Sequence, residues 1–328
     1  MAAHKGIGKE RMFGVAKEAV RGTAETAATY YLPVLSMEVN EDDDRVVDEQ
    51  ADGVIEAATG ETITSQWATH KITVPIDDKI FTLLMLNVLG SLSTGDNADS
   101  DASIKDHTLS VLQGSQHPAL TFFLDDPLAA ADYKYANGMI KDLEVKLEKR
   151  KYAVASFNAI SKKGASATLT PAVTSNNLFL SKMATVKFAA NLAGLAAASA
   201  VDIESLTLKF DPKVGEHEVL TGIADFLNGS FQPVSGSIEL KWDAETYKTL
   251  SLAATPQAMR IDLLHTVTIG AAAKPEHVID LARVIFKPVA VSGDLGGFVK
   301  QTLTFTGYYS RTDTSEVTLK STNAVASY

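Results

Sequence analysis

The sequence predicts a mostly β fold, arranged as two tandem β-sandwich-like domains, each with a short flanking α-helix. Three observations carry this. Short alternating or apolar runs ended by turn residues outnumber helical patterns. Only two segments place apolar residues at helical spacing near a capping-type residue. The order strand, helix, strand, long hairpin occurs twice along the chain.

Residues 13–20 suit either a helix or a strand. Ile72-Thr73-Val74 leads into Pro75-Ile76-Asp77 and forms the first clear strand. Over residues 78–89, Ile80, Leu83, Leu84 and Val88 fall on one side of a helix. Leu120-Thr121-Phe122-Phe123-Leu124 is an apolar run ended by Asp125-Asp126-Pro127. Leu143, Val145 and Leu147 alternate with Glu144, Lys146 and Glu148, giving a strand with one apolar and one charged face. The basic turn Lys149-Arg150-Lys151 returns the chain into Ala153-Val154-Ala155-Ser156-Phe157, closing a hairpin.

In the second half, strands are expected at residues 203–210, 236–242, 259–264, 282–290 and 302–309. Asp243 precedes a helix over 244–252, with Tyr247 and Leu250 at helical spacing. Residues 71–78 thus stand before the first helix as 237–243 stand before the second. The expected layout is an N-terminal arm at 1–32 and a first domain at 33–165 carrying a long acidic loop at 38–66. A linker at 166–180, a second domain at 181–311 and a C-terminal tail at 312–328 follow. A single large β domain is the alternative.

Composition removes several function classes. The 328 residues include no cysteine, which excludes a disulfide scaffold, a thiolate zinc site and a cysteine nucleophile. Asp and Glu number 40 against 30 Lys and Arg, a net charge of −10, whereas a nucleic-acid grip or an anionic membrane needs clustered positive charge. No apolar run is long enough to cross a bilayer or to serve as a signal peptide, so a cytoplasm-like compartment is expected.

The sequence carries no recognisable catalytic or cofactor motif. Gly6-Ile7-Gly8-Lys9 does not lie between a strand and a helix, and no Gly-x-Ser-x-Gly elbow occurs. His4, His70, His107, His117, His217, His265 and His277 are scattered, with no helical metal-ligand spacing. Asn97, Asp99 and Asp101 alternate as in a calcium loop, but Ala102 and Thr108 stand where glycine and glutamate are required. The region 93–106 is read as an exposed polar loop. No cofactor and no metal are expected.

Several segments together resemble the tail tube proteins of long-tailed bacteriophages, in their longer, two-lobed form. The opening Gly8-Lys9-Glu10, with Gly14 and Ala16, is similar to that family's G-K-E-x-x-x-G-x-A start. The acidic segment 36–69 leads into the strand at 72–76, and the first helix ends at Leu89-Gly90. His107-Thr108-Leu109-Ser110 and the stretch from Tyr133 through Asn137-Gly138 to Val145 complete the likeness, which is clearest over residues 6–160.

The resemblance implies a structural virion protein, not an enzyme. It implies subunits that close into rings and rings that stack into a hollow tube around a tape-measure protein. Tail terminator and tail-tip proteins would be further partners, and phage DNA a passing cargo. It also implies assembly in the host cytoplasm and, for the two-lobed form, a sheathless siphovirus-type tail. If each lobe takes one of six positions, three chains make a pseudo-six-fold ring. An acidic wall would let DNA slide. Candidate lumen-lining residues are Asp142, Glu144, Lys146, Glu148, Glu239, Lys241 and Asp243. Candidate ring-to-ring contacts are Glu41, Asp42, Asp43, Asp44, Asp48 and Glu49, with the N-terminal arm and the polar tail after Arg311. A capsid decoration or adhesin subunit is the alternative reading, and a carbohydrate-active β-sandwich enzyme a more distant one.

Overall fold

Alternating apolar side chains set most of the secondary structure, and pairing with neighbours sets the rest. The computed structural model describes residues 8–50, 55, 57–98, 101–127, 131–173, 176–220, 222–242, 245–293 and 298–328. The first half contains β1 (Met12–Lys17), β2 (Tyr30–Tyr31), β3 (Ser36–Asp48), β4 (Gly60–Pro75), α1 (Ile80–Leu89), β5 (Gly90–Asp96) and β6 (Lys105–Val111). It continues with β7 (Leu120–Asp125), β8 (Asp132–Glu148), β9 (Val154–Lys162) and β10 (Ala165–Ala167). The second half contains β11 (Ala184–Ala189), β12 (Ala200–Val201), β13 (Ile203–Phe210), β14 (Val214–Val219), β15 (Gly222–Asn228), β16 (Ser235–Lys241) and α2 (Thr246–Leu252). It ends with β17 (Gln257–Leu264), β18 (Glu276–Phe286), β19 (Ala290–Ser292), β20 (Lys300–Gly307) and β21 (Val317–Asn323). With 55% strand against 9% helix, the protein is mostly β.

The strand pairings repeat. In the first half, β3, β4, β9 and the end of β8 lie side by side, while β2, β1, β7, the start of β8 and β10 form a second layer. In the second half, β13, β16, β20 and β19 correspond to the first layer. There, β12, β11, β17, β18 and β21 correspond to the second. Among the described residues, two hairpins break the repeat: β5–β6 in the first half and β14–β15 in the second.

Strand β8 serves both layers by bending. Asn137 has φ 56°, a left-handed conformation that asparagine tolerates. A Cβ on the adjoining Gly138 would overlap the Phe122 ring. Asn87 of α1 holds the bend: its Nδ2 donates to the carbonyls of Pro118 (2.7 Å) and Gly138 (3.2 Å), and its Oδ1 accepts from Ile140 N at 2.8 Å. Every residue of α1 is buried, which is why the segment is apolar on all sides but for Thr82 and Asn87, whose side chains are hydrogen-bonded. Asp77 Oδ1 caps it, accepting from the backbone N–H groups of Ile80 (2.7 Å) and Phe81 (3.1 Å).

The two halves are joined edge to edge. β13 pairs antiparallel with the end of β8, from Ser205 opposite Glu148 to Phe210 opposite Leu143. Eight strands therefore run as one sheet, in the order β3, β4, β9, β8, β13, β16, β20, β19. A second seam forms where β21 inserts between β18 and β6. The β14–β15 hairpin also reaches back, burying Phe226 among Ala119, Met139 and Ile160.

Four expectations are corrected. The arm at 1–32 contributes β1, with Phe13 and Val15 fully buried, because its apolar alternation finds an edge on β7. The acidic loop at 38–66 is in large part the β3–β4 hairpin, registered from Ser36 opposite Thr73 to Asp48 opposite Gly60. Pairing overrides the poor strand propensity of its aspartates. The polar loop at 93–106 is shorter than expected: residues 93–96 and 105–106 belong to the paired strands β5 and β6. The C-terminal tail forms β21, whose buried Ser321, Thr322 and Asn323 are satisfied by hydrogen bonds to Thr82, Asp106 and Asp78.

Candidate functional site

The eight-stranded sheet has one buried face and one polar face. Val74, Ala155, Val145, Leu208 and Phe305 are buried beneath it, as period-two alternation requires. Adjacent residues point the other way. Ser36, Thr73, Ser156, Glu144, Lys209, Ser235 and Thr306 form one row across seven strands. Val154, Lys146, Thr207, Ser237 and Thr304 form the next. Glu148, Ser205, Glu239 and Thr302 form a third.

Six of the seven lumen candidates thus share this face: Asp142, Glu144, Lys146 and Glu148 on β8, and Glu239 and Lys241 on β16. Strand β13 connects the two sets, since Ser205 lies opposite both Glu148 and Glu239. Asp243 lies outside the described residues. Lys209, Lys300 and Glu204 belong to the same surface and were not singled out from sequence. The alternation of Leu206, Leu208 and Phe210 with Thr207 and Lys209 was the available signal.

Most charges on this face are paired with an opposite charge. Lys209 pairs with Glu144 at 3.0 Å and Lys146 with Glu148 at 3.0 Å. Lys300 bridges Glu204 (2.7 Å) and Glu239 (2.9 Å), and Lys149 also reaches Glu204 at 2.7 Å. Hydrogen bonds from Lys151 and Lys146 hold the Glu148 carboxyl below its usual range, and Lys149 and Lys300 do the same to Glu204. These groups stay ionised at neutral pH, so the surface carries alternating fixed charges.

The ring-to-ring candidates occupy a different place. Glu41, Asp42, Asp43, Asp44 and Asp48 lie on β3, and Glu49 follows it. Asp42 accepts from Thr69 Oγ1 at 2.9 Å, and Arg45 pairs with Asp43 at 2.7 Å and also with Glu61. Those contacts to Arg45 lower the Asp43 carboxyl. The outer part of this hairpin exposes Val46, Val47 and Ile63, with Val47 and Ile63 on one side and Val46 on the other. An outer hairpin of this kind offers a contact surface.

Among the described residues, no three His, Asp or Glu side chains converge as metal ligands. A cleft of about 740 Å³ is bordered by Gln116, His117, Asn228, Phe231, Tyr309 and Glu316, with no paired carboxylates.

The model of a family described as phage tail tube protein matches residues 8–307. Among curated proteins, none matches the chain.

Proposed function

Because the chain belongs to the phage tail tube protein family, we propose that three copies close into a ring and that stacked rings form a conduit for phage DNA. Family membership makes the protein a structural component of the virion tail that assembles with itself and with other tail proteins. The stoichiometry, the lumen and the named partners are our reading.

One observation carries it: the two repeated units already stand side by side in one sheet, joined by β8 and β13. Each half supplies four strands. Three chains would close about 24 strands into a barrel, which removes both free edges of the eight-stranded sheet. At a strand spacing of ~4.8 Å such a barrel is roughly 37 Å across before tilt, and wider with tilt, leaving room for a duplex. The two ring-building units would comprise residues 12–167 and 184–323.

The polar face would line the channel. Its Ser and Thr rows and paired charges offer no uncompensated positive cluster for phosphates to grip. The wall is charge-balanced rather than uniformly acidic, and the acid excess concentrates on the β3–β4 hairpin. That hairpin, with Glu41 through Glu49, would reach the next ring. A tape-measure protein would fill the channel during assembly in the host cytoplasm, with terminator and tip proteins at the two ends.

Negative-stain microscopy of the purified chain at high concentration tests the reading. Tubes of uniform bore are expected. Particles of a single chain under every condition, with no tubes on addition of tail-tip proteins, would argue for a decoration or adhesin subunit instead.

A further inference from the structure

The repeat turns the joint inside one chain into a template for the joint between chains. Ile72 of β4 lies opposite Phe157 of β9, as Ile238 of β16 lies opposite Leu303 of β20. Met37 lies opposite Ile72, and Leu206 opposite Ile238, so β3 and β13 occupy equivalent positions. On the far side, Glu144 of β8 lies opposite Ser156, the residue before Phe157. Ala290 of β19 lies opposite Thr302, the residue before Leu303. Strand β19 is therefore the second-half counterpart of the end of β8.

Within the chain, that end of β8 is covered by β13: Glu144 faces Lys209, Val145 faces Leu208 and Lys146 faces Thr207. Among the described residues, its counterpart β19 pairs with β20 alone, and β3 with β4 alone. The burial follows the pairing. Val145 and Leu208 are fully buried, whereas Val291, the equivalent of Val145, is 48% exposed, and Val39, the equivalent of Leu208, is only half-buried. Both edges have the exposure of strands missing one neighbour.

We propose that β19 of one chain pairs antiparallel with β3 of a second copy in the transferred register. Ala290 then stands opposite Asn40 of the second copy, Val291 opposite its Val39, and Ser292 opposite its Glu38. This rests on the ring reading and adds to it which edges meet and in what register. The chemistry of the pairs agrees. The two valines come together on the core side, and the serine hydroxyl donates to the glutamate. No like charges face each other. The ion pair of the inner seam, Lys209 with Glu144, is replaced by an uncharged pair, so the two seams differ and each edge has one proper partner. The contact is head-to-tail, the kind that closes into a ring.

The absence of native cysteine makes the register directly readable. A chain carrying Ala290→Cys and Asn40→Cys is assembled under reducing conditions, checked for tubes by microscopy and then oxidised. Facing Cβ atoms in such a pair stand ~4.5–5.5 Å apart, within reach of a disulfide after small adjustment. The expected product is a covalently closed trimer on a non-reducing gel. A control with Ser292→Cys and Asn40→Cys sits on the diagonal, ~7–8 Å apart, and should link at least about tenfold more slowly. The pair Val291→Cys with Val39→Cys reads the same register from the other face, should the first pair impede assembly. Intact tubes in which neither in-register pair links, or in which the diagonal control links as fast, overturn the register while leaving the ring. Failure of the unmodified chain to form tubes overturns the ring reading itself.

Discussion

Lys209 stands opposite Glu144 across the seam between the two halves, its ammonium 3.0 Å from the carboxylate. The pair faces solvent, where ion pairs contribute at most ~1 kcal/mol. The seam is held by the layer beneath, where Leu208 faces Val145 and Leu206 faces Leu147, all buried. Leu208→Ala should cost ~2–4 kcal/mol through lost burial and a cavity, and Lys209→Ala under ~1 kcal/mol. Urea unfolding of the two variants checks the ranking. Equal losses would place the strength of the seam in its charges.

Asp77 caps α1 from a buried position. Burial, with the neighbouring Asp78 charge adding to it, pushes its carboxyl up to about 6, against the hydrogen bonds from Phe81, Ile80 and Asn176. An acid raised on folding contributes full stability while neutral in both states, and loses it as pH rises through the folded value. Asp77→Asn keeps the capping oxygen. Its amide can meet Asn176, whose Oδ1 has no partner among the described residues. This variant should be relatively more stable at pH 7.5 than at pH 4.5, compared with the parent. Asp77→Ala should lose ~1–2 kcal/mol at either pH.

Two buried histidines act with the opposite sign. Burial lowers His70 to about 3, and lowers His277 to about 4 despite a 2.8 Å hydrogen bond from its Nε2 to the Asp77 carbonyl. Both stay neutral in the fold, while the unfolded chain protonates near its ordinary value. Their contribution is present above pH ~6.5 and is lost as pH falls toward 4. The urea midpoint should fall over that range. His70→Gln, which keeps a partner for Ser161 and cannot take a proton, should make the fall shallower.

The outer β3–β4 hairpin should matter to the tube and little to the chain. Replacing residues 45–64 with Asn-Gly joins Asp44 to Ser65, which already face each other, by a two-residue turn suited to hairpins. The shortened chain should keep its circular dichroism and thermal midpoint, yet form no tubes by microscopy. Tubes of normal length would remove the ring-to-ring role from Asp48, Glu49 and the exposed Val46, Val47 and Ile63.

Strand β8 was legible because Leu143, Val145 and Leu147 alternate with charges, and the same pattern pointed to the polar face. The repeated order of strand and helix was legible in Asp77 before α1 and in the spacing of the elements that follow. Strand β3 was not, because Asp42 to Asp44 disfavour a strand until β4 supplies the partner. Strand β21 was not, because its buried polar residues are satisfied by bonds to α1 and β6, contacts that join residues more than two hundred positions apart. The joining of the two halves into one sheet was beyond reach for the same reason: an edge does not announce which distant edge will meet it.

The mass of a single ring released from the tube tests the central claim most directly. Three copies of a 35.0 kDa chain give about 105 kDa, the value expected if each half fills one position of a pseudo-six-fold ring. A ring of six chains, twice that mass, would contradict the account and would place only one half of each chain in the channel wall.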